Sequence, residues 1–287
     1  MEEQDFPALY RSADKLSLDS QKHFFRILTI HLVVLVTAAV LSAINITDKW
    51  VYVFQLLALI AALGCSVYLW GVRPDRYWYA GRAVAESVKT ITWRYVSRAE
   101  PFQTEDTIAK NDFKQSLKMI FEQNHDVCSK LIDYSNQEQF TCVMQEMRAS
   151  SLDNRKNNYC EKRIRDQRDW YAKKAAFNKK RANYFFWGLI IANFIGVILA
   201  ILKVAEIDPI YLPVDVLVAL AASILSWMQA KRFTELSASY ALTAHEIGFI
   251  NEQLATIDSE DDFSKFVGDA ENAFSREHTQ WAARRDV

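Results

Sequence analysis

The sequence predicts an all-α integral membrane protein: two transmembrane helical hairpins, four spans in all, with long cytoplasmic helical extensions. Three observations carry this expectation. Four apolar stretches of about 20 residues stand in two close pairs, Ile27–Ile46 with Trp50–Gly71 and Tyr184–Leu202 with Ile210–Ala230. At a rise of ~1.5 Å per residue, each matches a hydrocarbon core ~30 Å thick. None has a Lys or Arg in its interior, and with only seven Gly and five Pro the 287-residue chain has few turn signals and little room for a sheet. The alternative is a soluble protein with buried core helices, but such helices seldom reach ~20 consecutive apolar residues.

The elements follow in order. Phe6–Arg26 carries Leu9, Leu16, Phe24 and Phe25 and is expected to run straight into span one. That polar lead-in and the poor cleavage site at Ala43-Ile44-Asn45 speak against a signal peptide. Pro74 marks a break after span two, because the residue before a proline is pushed out of the α region. Tyr77–Ser97 resumes as a helix that ends by Glu100-Pro101. Asp112–Tyr134 places Phe113, Leu117, Ile120, Phe121, Leu131 and Ile132 at helical spacing, an amphipathic partner for that helix. Ser135–Leu152 gives no clear pattern. Arg155–Asn183 is a charged helix expected to enter span three unbroken, and span four is expected to continue through Phe233–Leu254. Asp261–Arg285 closes the chain as a helix.

Net charge is −1, which gives no nucleic-acid signature, and no direct nucleic-acid binding is expected. The distribution is more informative. Basic residues flank the outer ends of each pair: Arg11, Lys15, Lys22 and Arg26 before span one, Arg73, Arg76 and Arg82 after span two. Lys173, Lys174, Lys179, Lys180 and Arg181 precede span three, and Lys231 and Arg232 follow span four. The hairpin tips hold only Lys49 and Lys203, beside Asp48, Glu206 and Asp208. The positive-inside rule then places both termini and the 72–183 segment in the cytoplasm. Cys65, Cys128, Cys142 and Cys160 form no Cys-x-x-Cys pair, so reduced structural thiols are expected and no metal site.

An internal echo divides the chain. Arg165-Asp166-x-x-x-Trp170-x-Ala172-Lys173-Lys174 recurs as Arg276-Glu277-x-x-x-Trp281-x-Ala283-Arg284-Arg285, each copy behind a hairpin. We read two modules of unequal length, residues 1–152 with an insertion around 105–150, and residues 153–287. Arg165, Trp170, Arg276 and Trp281 are candidate helix-packing residues, with a ligand site as the alternative; Trp flanked by Lys and Arg also suits a membrane interface.

No catalytic constellation appears. Gly-x-x-x-x-Gly-Lys, Gly-x-Gly-x-x-Gly, Gly-x-Ser-x-Gly and His-Glu-x-x-His are all missing, so neither an enzyme nor a cofactor is expected. The spans are richer. Gly188, Ala192, Gly196 and Ala200 form a small-residue ridge with a spacing of four, answered in span four by Ala219 with Ser223 and by Ala222, Ser226 and Ala230. Such ridges let helices approach closely in lipid, within one hairpin or between subunits. Asn193, mid-span, is the best candidate to line a conduit, the alternative being a hydrogen bond between helices. Asp215 lies near the outer end of span four, within reach of headgroups, and His31 and Gln55 lie within two turns of an interface. So few polar residues can wet a channel only when repeated around a ring, so a conducting role requires a homo-oligomer.

Several motifs together resemble the SLATT proteins, the SMODS- and SLOG-associating two-transmembrane effectors of bacteria, in tandem. They are Leu9-Tyr10-x-x-Ala13-Asp14 before span one, Arg82-Ala83-Val84-Ala85-Glu86 through Trp93-Arg94 after span two, Asp166-Gln167-x-x-Trp170-Tyr171 before span three, and the closing Ser275-Arg276-Glu277-His278-Thr279-x-Trp281. The resemblance covers nearly the whole chain. It implies a multi-pass protein of the bacterial inner membrane that forms pores or disrupts the bilayer in antiphage conflict, triggered when a partner senses infection, with regulation from a separate sensor protein, an operon neighbour or the cytoplasmic helices themselves. It supplies no catalytic residues. A non-conducting membrane scaffold and a housekeeping ion channel are the other readings.

Overall fold

The computed structural model describes residues 1–44, 48–205, 212–254 and 257–283, with side chains through residue 275. The expected hairpin-tip residues Thr47, Glu206, Asp208 and Pro209 lie outside the described residues, as do Arg284 and Arg285. Among those described there is no strand. The helices are α1 (Ala8–Ala43), α2 (Lys49–Val72), α3 (Pro74–Val96), α4 (Asp106–Gln123), α5 (His125–Cys128), α6 (Cys142–Ala149), α7 (Leu152–Tyr159), α8 (Asp166–Val204), α9 (Val214–Lys231), α10 (Phe233–Gln253) and α11 (Glu260–Ala283). A π-helical turn, Cys160–Arg165, joins α7 to α8.

Local chemistry explains most boundaries. α1 runs from its amphipathic start into the first apolar stretch without a break. Asp48 caps α2 by accepting the Trp50 N–H at 2.9 Å. At the far end Arg73 turns left-handed (φ 46°), its N–H bonds the Leu69 carbonyl at 3.2 Å, and Pro74 opens α3. Pro suits that position because a first-turn N–H has no helical partner to lose.

Three expectations are corrected. Span four does not continue unbroken into the next helix. Arg232 is left-handed (φ 52°) with its N–H on the Met228 carbonyl at 2.9 Å, the same cap that ends α2, while Lys231 lies over the Phe25 ring at 3.3 Å. The amphipathic helix expected over Asp112–Tyr134 begins earlier and stops at Gln123, because the Asn124 amide donates to the Ile120 carbonyl at 2.9 Å and competes with the helical ladder. The charged helix ahead of span three starts at Leu152, and the π turn interrupts it.

The chain folds into two units, each drawing on both sides of the 152/153 boundary. The polar unit comprises Met1–His23, Pro74–Trp170 and Ala244–Val287; the four-span unit comprises Phe24–Arg73 and Tyr171–Thr243.

In the polar unit α3 is the central strut, packed by α11, α4 and α6. Trp93 is fully buried, with ring centroids 6.1 Å from Phe6 and 5.7 Å from Tyr159. Gly81 sets the approach of α1 to α3: a Cβ there would lie 3.1 Å from the Ala13 carbonyl oxygen and the Ser17 nitrogen, both backbone atoms that cannot swing aside. Gly81→Val is therefore expected to destabilise this unit by about 1–3 kcal/mol, read as a lower thermal midpoint of the solubilised chain. Gly248→Ala, whose Cβ meets nothing within 4 Å, is the control expected to leave the midpoint unlowered.

The four-span unit inverts the usual soluble pattern. Within the apolar stretch of each spanning helix the one buried residue is an alanine: Ala38, Ala62, Ala192 and Ala221. Large apolar side chains face outward instead, with Trp70 86% and Phe194 65% exposed. All four helices are long and apolar enough to cross a membrane. Close contact at small residues with bulky groups outside suits lipid, which solvates Leu as well as protein does.

Candidate functional site

Two places in the molecule concentrate chemistry, one in each unit. In the four-span unit the ridge predicted on span three is turned inward only in part. Ala192 is buried, Gly196 and Ala200 are half-buried, and a Cβ on Gly196 would lie 3.8 Å from the Leu217 Cβ of α9. Around Gly188 there is nothing within 4 Å, so this end of the ridge is open in a single chain. Ser223 is half-buried in a cleft of about 420 Å³ between α1, α8 and α9, whose lining includes Thr29, Thr37 and Trp227. Ser226 is exposed.

The polar residues of the spans have separate fates. Asn193 is exposed, and its amide donates to the Leu189 carbonyl of its own helix at 2.9 Å; among the described residues it makes no hydrogen bond to another helix. Asp215 is exposed in the first turn of α9, where the helix dipole favours an anion. His31 Nδ1 lies 3.1 Å from the Ala62 carbonyl oxygen, so an N–H there ties α1 to α2. That contact uses one of the four buried alanine positions.

At the base of the spans, aromatic pairs hold the helices together. Phe25 and Trp227 meet at 5.7 Å, Phe185 and Phe233 stack at 5.5 Å, and Tyr171 and Tyr240 meet at 5.5 Å. Of the predicted packing residues, Trp170 is 37% exposed and its neighbour Tyr171 is the buried ring. Arg165 is exposed and pairs with Glu161. Arg276 and Trp281 lie outside the residues whose side chains are described.

The polar unit contains a chain of buried charges. Arg163, on the π turn, is 1% exposed and grips Glu271 of α11 with two bonds: Nε donates to Oε1 at 2.8 Å and Nη2 donates to Oε2 at 2.6 Å. The Tyr159 hydroxyl donates to the same Oε1 at 2.9 Å, and the guanidinium lies 4.8 Å over Phe274. Burial alone would lower Arg163, but the Glu271 carboxylate overrides it and raises the guanidinium above its ordinary value. Burial, reinforced by Glu271, pushes the Tyr159 phenol up. Arg148 donates to Asp106, the Tyr95 carbonyl and the Thr104 carbonyl at 2.8–3.0 Å, fastening α6 to the end of α3 and the start of α4. Arg155 donates to the Ser97 carbonyl at 3.1 Å and clasps Glu260 at the start of α11.

A second set joins α1 to α3. Arg82 bridges Asp14 at 3.2 Å and Glu86 at 2.5 Å. Burial raises the Asp14 carboxyl, with Arg82 opposing, and burial lowers the nearby Lys89 amine against the pull of Glu86. Residues from the two motifs either side of the first hairpin, Asp14 with Arg82 and Glu86, thus meet in space. Arg148, Arg155 and Arg163 were missed by sequence reading, which treats charges on a helix as a solvated face. The available signal was the Arg155, Tyr159 and Arg163 stripe at a spacing of four.

Among the described residues no group of three or more His, Cys, Asp or Glu is arranged to hold a metal. Cys128 is buried, which pushes its thiol up to about 11. The network can brace the helices of the polar unit against one another.

Four lipid-length helices with outward-facing apolar side chains, joined to a helical polar unit, define an α-helical multi-pass membrane protein. The family model described as SMODS and SLOG-associating 2TM effector domain 3 matches residues 7–156, and that of domain 1 matches residues 159–281. The chain belongs to the SLATT family and carries two of its modules in tandem, a family associated with antiphage and conflict effector systems. No curated protein and no solved structure is similar enough to match it.

Proposed function

We propose that the chain is a gated, homo-oligomeric effector of the bacterial inner membrane, with cytoplasmic termini, which permeabilises the bilayer when a separate sensor protein signals infection. It acts by packing rather than by catalysis. The observation that carries this reading is the inverted four-span unit, where each apolar stretch buries one alanine and leaves the rest of its surface for lipid or further copies. The open Gly188 end of the ridge and the outward Asn193 and Ser226 supply surfaces that one chain leaves unused. A trigger with ~5 kcal/mol of differential affinity suffices to swing a closed population open.

Inducible expression read with a voltage-sensitive dye tests this. Depolarisation after phage infection is expected; an unchanged membrane potential under every trigger, infection included, would overturn it. A second reading, a non-conducting scaffold, is favoured by one observation: the Asn193 amide is satisfied within its own helix and needs no water-filled conduit. Under that reading Asn193→Leu leaves function intact, whereas truncation of 261–287 removes it.

A further inference from the structure

Two helix faces of the polar unit meet in a groove that neither the spans nor the arginine network accounts for. On α10, Glu246, Phe249 and Ile250 recur at helical spacing; on α11, Asp262, Phe266, Asp269 and Ala270 do the same. Together they line a depression of about 650 Å³. Its floor is apolar and includes Phe249, a ring 68% exposed. Among the described residues its charged lining is of one sign: Glu246, Asp262 and Asp269. All three carboxylates are exposed, and none makes an ion pair among the described residues. Asp262 accepts a 2.7 Å hydrogen bond from the Ser259 hydroxyl at the start of α11.

We propose that this groove binds an amphipathic helix of a partner protein, with the partner's apolar stripe on Phe249 and Ile250 and its Lys or Arg flanks against Glu246 and Asp269. Two facing helices with an apolar floor form the geometry in which a third helix is read by anchors at i, i+3, i+4 and i+7. An exposed aromatic on such a floor is a common energetic anchor. The one-signed rim selects the charge of the occupant and excludes acidic helices. The exposed helix α4 of a second copy is a poor match: it sets three bases, Lys110, Lys114 and Lys118, against three acids, Asp106, Asp112 and Glu122, and offers no net positive charge. The site lies wholly outside the spans, so its test does not depend on conductance.

The experiment uses the full chain in phosphatidylcholine nanodiscs. Two fluorescein-labelled helical peptides of about 18 residues, roughly five turns, share a leucine stripe; one has Lys flanks and the other Glu flanks. Anisotropy titration should show the Lys peptide binding about tenfold more tightly, as expected of a few partly exposed charge pairs. The Glu246→Lys/Asp269→Lys variant should reverse that order, and Phe249→Ser should weaken both peptides. Circular dichroism melting checks that the variants still fold, and photo-crosslinking from benzoylphenylalanine at position 250 provides a second readout in the unmutated rim. Equal preference in wild type and charge-swapped chains, or binding no better than to empty nanodiscs, overturns the proposal. So does a variant that changes the oligomeric state while peptide binding is absent, because the occupant is then a second copy.

Discussion

Glu271→Ala is expected to destabilise the polar unit by about 3–5 kcal/mol, the usual cost of removing one partner from a fully buried ion pair. Glu271 is 0% exposed and receives two bonds from Arg163 and one from Tyr159. Without it, the guanidinium stays in the core with no counter-charge, and the phenol loses its acceptor. Water cannot compensate, because Arg163 and Tyr159 are themselves buried. Replacing both partners by apolar residues of similar volume, Arg163→Met with Glu271→Leu, should recover most of the loss, since no stranded charge remains. Thermal unfolding and limited proteolysis of the solubilised chain measure both variants. If the single and double variants melt alike, the pair is not the source of the effect.

Gly188→Leu should leave the single chain as stable as before and abolish depolarisation. A Cβ at Gly188 meets nothing within 4 Å, so a side chain can leave the backbone there without a clash inside one copy. Packing between spans in lipid depends on close backbone approach at small residues, so a leucine on the open end of the ridge would hold a neighbouring copy away. We expect at least a ~10-fold loss of the dye response, equivalent to about 1.4 kcal/mol of association, together with loss of cross-linked oligomer. Gly196→Leu is the comparison: it also faces the Leu217 Cβ, 3.8 Å from the position its own Cβ would take, and should perturb the fold as well. Full activity in Gly188→Leu would remove the ridge from the assembly.

The spans were legible because hydrocarbon imposes a length and a composition that a single sequence displays. The unbroken α1 and the break at Pro74 were legible for local reasons, a continuous helical pattern and a proline. The buried arginines were not. Whether Arg163 is solvated or clasped depends on Glu271, more than a hundred positions away, and helical periodicity says nothing about that. Nor does a non-glycine residue such as Arg232 advertise a left-handed backbone, so the joint after span four was invisible, whereas the matching one at Arg73 was exposed by its proline. Asn193 shows the limit within the spans. Its polarity was evident, but the choice among a conduit, a neighbouring helix and its own backbone required coordinates.

The left-handed arginines that close α2 and α9, Arg73 and Arg232, have a mechanical corollary. α1 and α8 are single shafts of 36 and 39 residues, roughly 54 and 59 Å long at ~1.5 Å per residue, and a tug or twist at one end must arrive at the other. The return limbs, α2 and α9, each end at a left-handed cap, Arg73 or Arg232, where the helix axis is interrupted. Each hairpin therefore pairs one uninterrupted shaft with one that ends in a joint.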